Sequence, residues 1–414
     1  MKIILLMIVS AISIFALEFD SIENTETLEK VNFFKEKTEV KNFLVAPRYI
    51  KMFNNINSEL KLGDIKHAEK LAIEFYNETN VLSFKDNIVK NMANIALGNV
   101  YYTKGEKIKW KYMHLPTLEY VLKQDTNNLG SNYFFFIINL TPIILETKNK
   151  KETLELIKYT SRQLTKFREH FNKKTLEYLY YSLKHMQYDY TIKFSRKLRK
   201  EKEAFEEADK RLKRLYTYMS IEEARILFSR AKFYLNIIGD SELAFKPLKE
   251  SYNITKTILE KKNPELLNNS VLLGNIYFEL GKLFSTGTKL NKSIEYYNKS
   301  EQIFKNVEIY SKALDCKAKK AIVFKILKQF TKALEENKNQ LELAKKEFGI
   351  DSEEYSVALV VKSDILSTMD KNEEALKYME EAKDILIKKY GKFSKEVKII
   401  NSSLNFIKLQ KEEF

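Results

Sequence analysis

Small residues recur along this chain at a step close to 42 residues. Ala68, Ala244, Ser293, Ala333 and Ala375 stand on one ladder, and counting along it adds Trp110, Thr153 and Ser195; the intervals are 40 to 43 residues except for two of 49, on either side of Ala244. The run Leu97, Gly98, Tyr101, Gly105 precedes Trp110, and the same run returns as Leu273, Gly274, Tyr277, Gly281 ahead of Ser293. A period of this size demands a supersecondary unit that cannot bury its apolar face alone and so stacks on copies of itself.

The unit is helical. Only 10 Gly and 5 Pro punctuate 414 residues, too few for the many turns of an all-β fold. Hydrophobic residues make up 44%, enough for a continuous core. In each unit a small residue on the first helix lets the second approach, Tyr101 fills the space one turn on, and Gly105 suits a helix C-terminus.

The Leu-Gly, Tyr, Gly spacing followed by a small residue on a second helix resembles the tetratricopeptide repeat family. The long step resembles its kinesin-light-chain variety. Two late units carry that likeness best, KALEENKNQLELAKKEFGIDSEEY from Lys332 and EALKYMEEAKDILIKKYGKFSKEV from Glu374, each with an Ala-Leu start and a Phe-Gly or Tyr-Gly stop. The resemblance implies an all-α, right-handed superhelical solenoid of about eight helix pairs. Residues 48–124 and 216–414 carry the motif well, whereas 125–215 match by spacing alone. The stretch YFFFIINLTPIIL at 133–145 reads as a buried helix.

The N-terminus carries an address. Lys2 precedes the uncharged, mostly apolar run Ile3–Phe15, and Ala16 is a small residue at a plausible cleavage point. Residues 1–16 are therefore expected to be a signal peptide, followed by a polar and helical segment at 17–47. The run is short for a bilayer span, which needs about 20 apolar residues. The expected location is exported, periplasmic or extracellular, with no transmembrane span once the signal is removed.

Charge adds less than its size suggests. The formal net charge is +15. One reading is an anionic partner such as an acidic envelope polymer, lipid headgroups or nucleic acid. The other is a Lys-, Asn- and Ile-rich composition, which we favour, leaving weak electrostatic binding and no specific nucleic-acid target. The basic stretch from Lys193 to Arg214 fits a solvated helix, because Leu198, Phe205, Leu212 and Leu215 form a core stripe. Cys316 is the one cysteine, so no intramolecular disulfide can form.

Short motifs of catalysis are missing. His67, His114, His170 and His185 are scattered, with no HExxH pair and no cysteine at metal-ligand spacing. No Walker loop, GxGxxG turn or GxSxG elbow occurs. The chain is accordingly expected not to be an enzyme and to need no cofactor or metal.

What remains is recognition. In the resembling family, first helices line a concave groove, and ligand contacts come from the residue after the small position and from three residues further on. By the 42-residue step the former include Asn57, Asn99, Phe233, Asn275 and Asp364, and the latter Tyr102, Asn236, Phe278 and Lys325. An Asn carboxamide both donates and accepts, so it can hold an extended peptide backbone without reading its side chains. The expected function is a scaffold binding a protein or peptide partner in this groove. A basic polymer-binding surface and a peptide-sensing regulatory module are the alternatives.

Overall fold

The structure, a computed structural model, describes residues 45–412 except 82–85, 125–128, 196 and 217–218. The expected signal peptide at 1–16, and residues 17–44 of the segment after it, lie outside the described residues. Those described contain eighteen α-helices and no strand. The fold is an all-α helical-repeat solenoid of eight helix pairs, closed by a single last helix.

The pairs in chain order are α1 (Pro47–Leu62) with α2 (Ile65–Thr79), and α3 (Asn87–Lys104) with α4 (Lys107–Lys123). The third sets the broken helix α5 (Asn132–Asn139) and α6 (Thr141–Thr147) with α7 (Lys150–Phe167), and the fourth is α8 (Lys173–Phe194) with α9 (Leu198–Leu215). Then come α10 (Ile221–Phe233) with α11 (Ser241–Lys262), α12 (Val271–Ser285) with α13 (Leu290–Asn306), α14 (Tyr310–Ile326) with α15 (Phe330–Phe348), and α16 (Glu353–Thr368) with α17 (Asn372–Tyr390). The last helix is α18 (Lys395–Glu412). Compactness divides them into two units, residues 45–273 and 274–412, with the boundary inside α12.

The repeat ladder has a simple structural meaning. The fourth residue of every second helix is buried: Ala68, Trp110, Thr153, Glu201, Ala244, Ser293, Ala333 and Ala375. There the two helices of a pair cross. The Ser293 hydroxyl donates to the Gly281 carbonyl at 2.7 Å, and the Ser363 hydroxyl to Ala375 O at 2.7 Å, each across 12 residues. At the second pair the approach is so close that a Cβ on Gly98 would meet the His114 ring at 2.2 Å. Burial holds that imidazole neutral, pushing its pKa down to about 4. The Trp110 indole donates to His114 Nδ1 at 2.8 Å, and His114 Nε2 lies 3.3 Å from the Ile95 carbonyl.

Three sequence expectations need correction. Ser195 is not on a second helix; it is the C-cap of α8, and the ladder position is Glu201. The sequence misleads because a buried carboxylate replaces the small residue there. Gly281 does not end a helix; it lies inside α12 at the crossing, where a Cβ would meet the Tyr297 ring at 2.7 Å. Residues 133–145 form two helices, because Pro142 cannot donate to the turn before it and the chain breaks at Leu140. In the fifth pair a π turn, Tyr234–Ile238, follows α10 and adds a residue to the spacing.

The unit of residues 45–273 closes on itself. Lys61, in the last turn of α1, pairs with Glu222 in the first turn of α10. Just beyond, Val271 N–H donates to Gly63 O at 3.2 Å. Gly63 has φ +81°, and a Cβ there would meet Ser270 Oγ at 2.5 Å, so only glycine fits the joint. No helix among the described residues is long and apolar enough to cross a membrane.

Candidate functional site

The expected groove residues fall in both units. In residues 45–273, Asn57 on α1 and Asn99 on α3 are fully buried, at the same register of two first helices that pack together. Both nitrogen and oxygen of each carboxamide are sealed and make no hydrogen bond. A buried amide left unbonded costs about 1–3 kcal/mol, and native folds keep few of them. A small recess is lined by Val45, by Ile50, Phe53 and Asn54 of α1, by Met92 of α3, and by Asn132 and Phe135 of α5.

The other expected residues of this unit do different work. Tyr102 is half-buried with its ring 4.8 Å from that of Trp110, so it serves the contact within its own pair. Phe233 ends α10 as a buried core residue, displaced by the π turn, and Asn236 sits half-buried in that turn.

In residues 274–412, Asn275 is not the counterpart of Asn99. Gly281, not Gly274, stands at the crossing, so Asn275 lies two helical turns too early and the equivalent residue is Lys282. Lys312 Nζ donates to Asn275 Oδ1 at 2.7 Å. Phe278 is half-buried edge-on to Tyr297, with centroids 5.5 Å apart. Lys325 and Asp364, named separately from sequence, come together as a buried ion pair at 2.5 Å between α14 and α16.

Sequence reasoning missed a second polar centre, in the fourth and fifth pairs. Glu201 accepts from Tyr188 OH at 3.3 Å and Tyr234 OH at 3.0 Å, with Arg230 Nε at 3.2 Å. Burial raises its carboxyl pKa against the pull of Arg230. Burial likewise pushes the Tyr234 hydroxyl up to about 12. His185 and Asp189 lie nearby in sequence, 3.5 Å apart and almost sealed from solvent. No motif could have revealed this group, which is assembled from three helices and a π turn.

Glu59, Asp64 and His67 each bring a ligand atom within 4.8 Å of the others. Local structure accounts for them. The Asp64 carboxylate caps α2 by accepting from His67 N–H at 3.1 Å, and His67 Nδ1 lies 3.8 Å from Glu59. The basic stretch around α9 is a solvated helix with Phe205, Ala208 and Leu212 buried, laced by Arg199–Glu203 and Lys213–Asp209 pairs.

No protein-family model and no curated protein matches the chain in sequence. In structure it is similar to aspartyl phosphate phosphatase F from Bacillus subtilis, with 14% identity, 89% of this chain and 80% of that chain covered, and a TM-score of 0.47. It is also similar to a Rap protein complexed with competence and sporulation factor, with 10% identity, coverage of 89% and 99%, and a TM-score of 0.49. A third is the apo form of RapI, with 14% identity, coverage of 87% and 86%, and a TM-score of 0.45. The printed activity and ligand belong to those proteins. The expectation that this chain is not an enzyme is withdrawn, since the first of these similar structures is a phosphatase. A search for short signatures finds only chemistry held in contiguous motifs, and groups gathered by stacked helices leave none.

Proposed function

We propose that the chain is a tetratricopeptide-class repeat protein that binds a peptide or an extended segment of a protein partner along its first helices. One observation carries the reading: Asn57 and Asn99 present four sealed, unbonded amide atoms at matching positions of adjacent first helices. A peptide backbone offers one N–H and one C=O per residue, which is what two such carboxamides lack. The neighbouring recess of Phe53, Met92 and Phe135 has room for little more than a water, so an apolar side chain of the same ligand would enter only as it widens. The interior must open for it to enter, so binding and conformational change are coupled. Export under the signal-like residues 1–16 belongs to the same proposal and would place the partner outside the cytoplasm.

The test is a peptide-display selection against the full chain and against the Asn57→Leu/Asn99→Leu double variant. Sequences enriched by the parent and lost by the variant support the proposal. A variant that retains the same peptides with unchanged affinity sinks it.

A further inference from the structure

Residues 45–273 are held together by two kinds of contact. Along the series the helices pack face to face: α1 lies along α2 and α3, and α2 along α3. Ile56 and Leu60 of α1 and Ala68, Ala72 and Phe75 of α2 are among the apolar residues buried in these helices. Where the series closes, α1 lays no comparable face against α10. Polar contacts bridge that seam instead. Lys61 meets Glu222, Val271 N–H donates to Gly63 O, and Lys262 of α11 faces Glu59. Apolar faces forfeit their burial when they part. Ions regain the hydration they gave up, and a backbone hydrogen bond is exchanged for water at small cost. The seam is therefore the line along which the unit opens most cheaply. Asn57 lies one turn before Lys61 on the same face of α1, so a parting seam uncovers its sealed carboxamide.

We propose that this seam is the gate of the unit. It parts at Lys61–Glu222 and at Gly63–Val271 while α1 stays packed on α2 and α3, and it gives access to the face that carries Asn57. An ion pair suits a gate better than an apolar contact of the same size, because the open state is hydrated and not left with bare hydrocarbon. The purpose of the gate rests on the peptide-binding reading, but its test uses no ligand, so each can fail alone.

The test is thiol alkylation of the full chain under native conditions, read by mass spectrometry. Asn57→Cys puts a thiol on the seam side of α1, and Ala68→Cys puts one at the packed crossing of α1 with α2. Both positions are fully buried, and the native Cys316, equally buried, marks the background. The thiol from Asn57→Cys should react severalfold faster than the one from Ala68→Cys. Adding Lys61→Met/Glu222→Leu, which makes the seam apolar, should slow the first thiol and leave the second unchanged. Adding Gly63→Ala, whose Cβ would meet Val271 N at 2.7 Å and hold the seam apart, should speed the first alone. Equal rates at the two thiols mean that the unit opens only by unfolding, and overturn the proposal. A rate at Asn57→Cys that neither seam change alters overturns it too, because access would then come from elsewhere.

Discussion

Lys61 and Glu222 meet as a buried ion pair across 161 residues of sequence. Both side chains are nearly sealed, at 1% and 3% exposure. Burial alone would raise the Glu222 carboxyl, but the adjacent ammonium outweighs it and holds the group below the usual carboxylate range. Lys61→Met should therefore destabilise the chain by about 3–5 kcal/mol, because it strands a buried carboxylate. The double change Lys61→Met/Glu222→Leu should recover most of that loss. Urea unfolding at pH 7 of the two variants and the parent decides it; a single variant as stable as the parent would show that the pair is not sealed. A depressed folded pKa means that this stabilisation is present above about pH 4.5 and is lost as pH falls through the folded value.

Gly98→Ala should destabilise, although alanine is the better helix former by about 1 kcal/mol. The added Cβ would sit 2.2 Å from the His114 ring and force it off the Trp110 indole. Overpacking of this kind costs about 1–3 kcal/mol. A rise in melting temperature would mean that the helices part without loss.

His114 itself makes the fold sensitive to mild acid. Its folded pKa, about 4, lies below the ordinary imidazole value of 6.5, so the unfolded chain binds more protons between the two. Stability contributed by the neutral ring is complete well above pH 6.5 and is lost as pH falls toward 4. Lowering the pH from 7 to 5 should cost about 2 kcal/mol through this residue. The difference in urea midpoint between pH 7 and pH 5 should shrink in His114→Gln, and an unchanged difference would assign the acid sensitivity elsewhere.

Lys319→Met should stabilise the free chain. The depression of the lysine from 10.5 to about 8 corresponds to roughly 3 kcal/mol at pH 7. The sign is opposite to that of a paired lysine: the unfolded chain binds more protons between pH 8 and 10.5, so the parent gains stability as pH rises through that window. The advantage of the variant, read as a difference in melting temperature, should be largest below pH 8 and fade by about pH 10.5. A constant advantage would trace to packing alone.

Asn99→Leu should also stabilise the unliganded chain, by about 1–3 kcal/mol, since it replaces an unbonded buried amide with an apolar group of similar size. Calorimetry of the variant without ligand tests this, and a lower melting temperature would show that the amide already has a partner. Stability and the proposed recognition are then opposed at one residue, as is common where a fold keeps an unsatisfied group for use.

The ladder of small residues was legible because a helix crossing admits only small or specially accommodated side chains, and Ala68, Ala244, Ala333 and Ala375 record it directly. The ladder failed where chemistry replaced size. Glu201 fills its crossing position with a buried carboxylate satisfied by two tyrosines and an arginine, and nothing in a charged helix distinguishes that Glu from its neighbours. The doubled Gly274 and Gly281 offered two registers, and only the Ser293 hydrogen bond and the Tyr297 contact choose between them. Of the groove residues, Asn57 and Asn99 are sealed on neighbouring first helices that pack together, and Lys325 and Asp364 meet through the same kind of stacking; neither burial nor pairing can be read from the residue types alone.

The joint between Gly63 and Val271 also bears on how the protein is made. Repeats that touch only their neighbours can set in order as each one leaves the ribosome. Here the edge of the first pair has its partners at Glu222 and Val271. At about 5–20 residues per second, synthesis takes roughly 10 to 30 s to bring Glu222 out after Lys61. Throughout that interval the first pair presents a complementary but unfilled edge, which a second nascent chain could fill instead. Crowded translation of this protein therefore favours exchange of the first pair between copies, and slower initiation, which spaces the ribosomes apart, should reduce it.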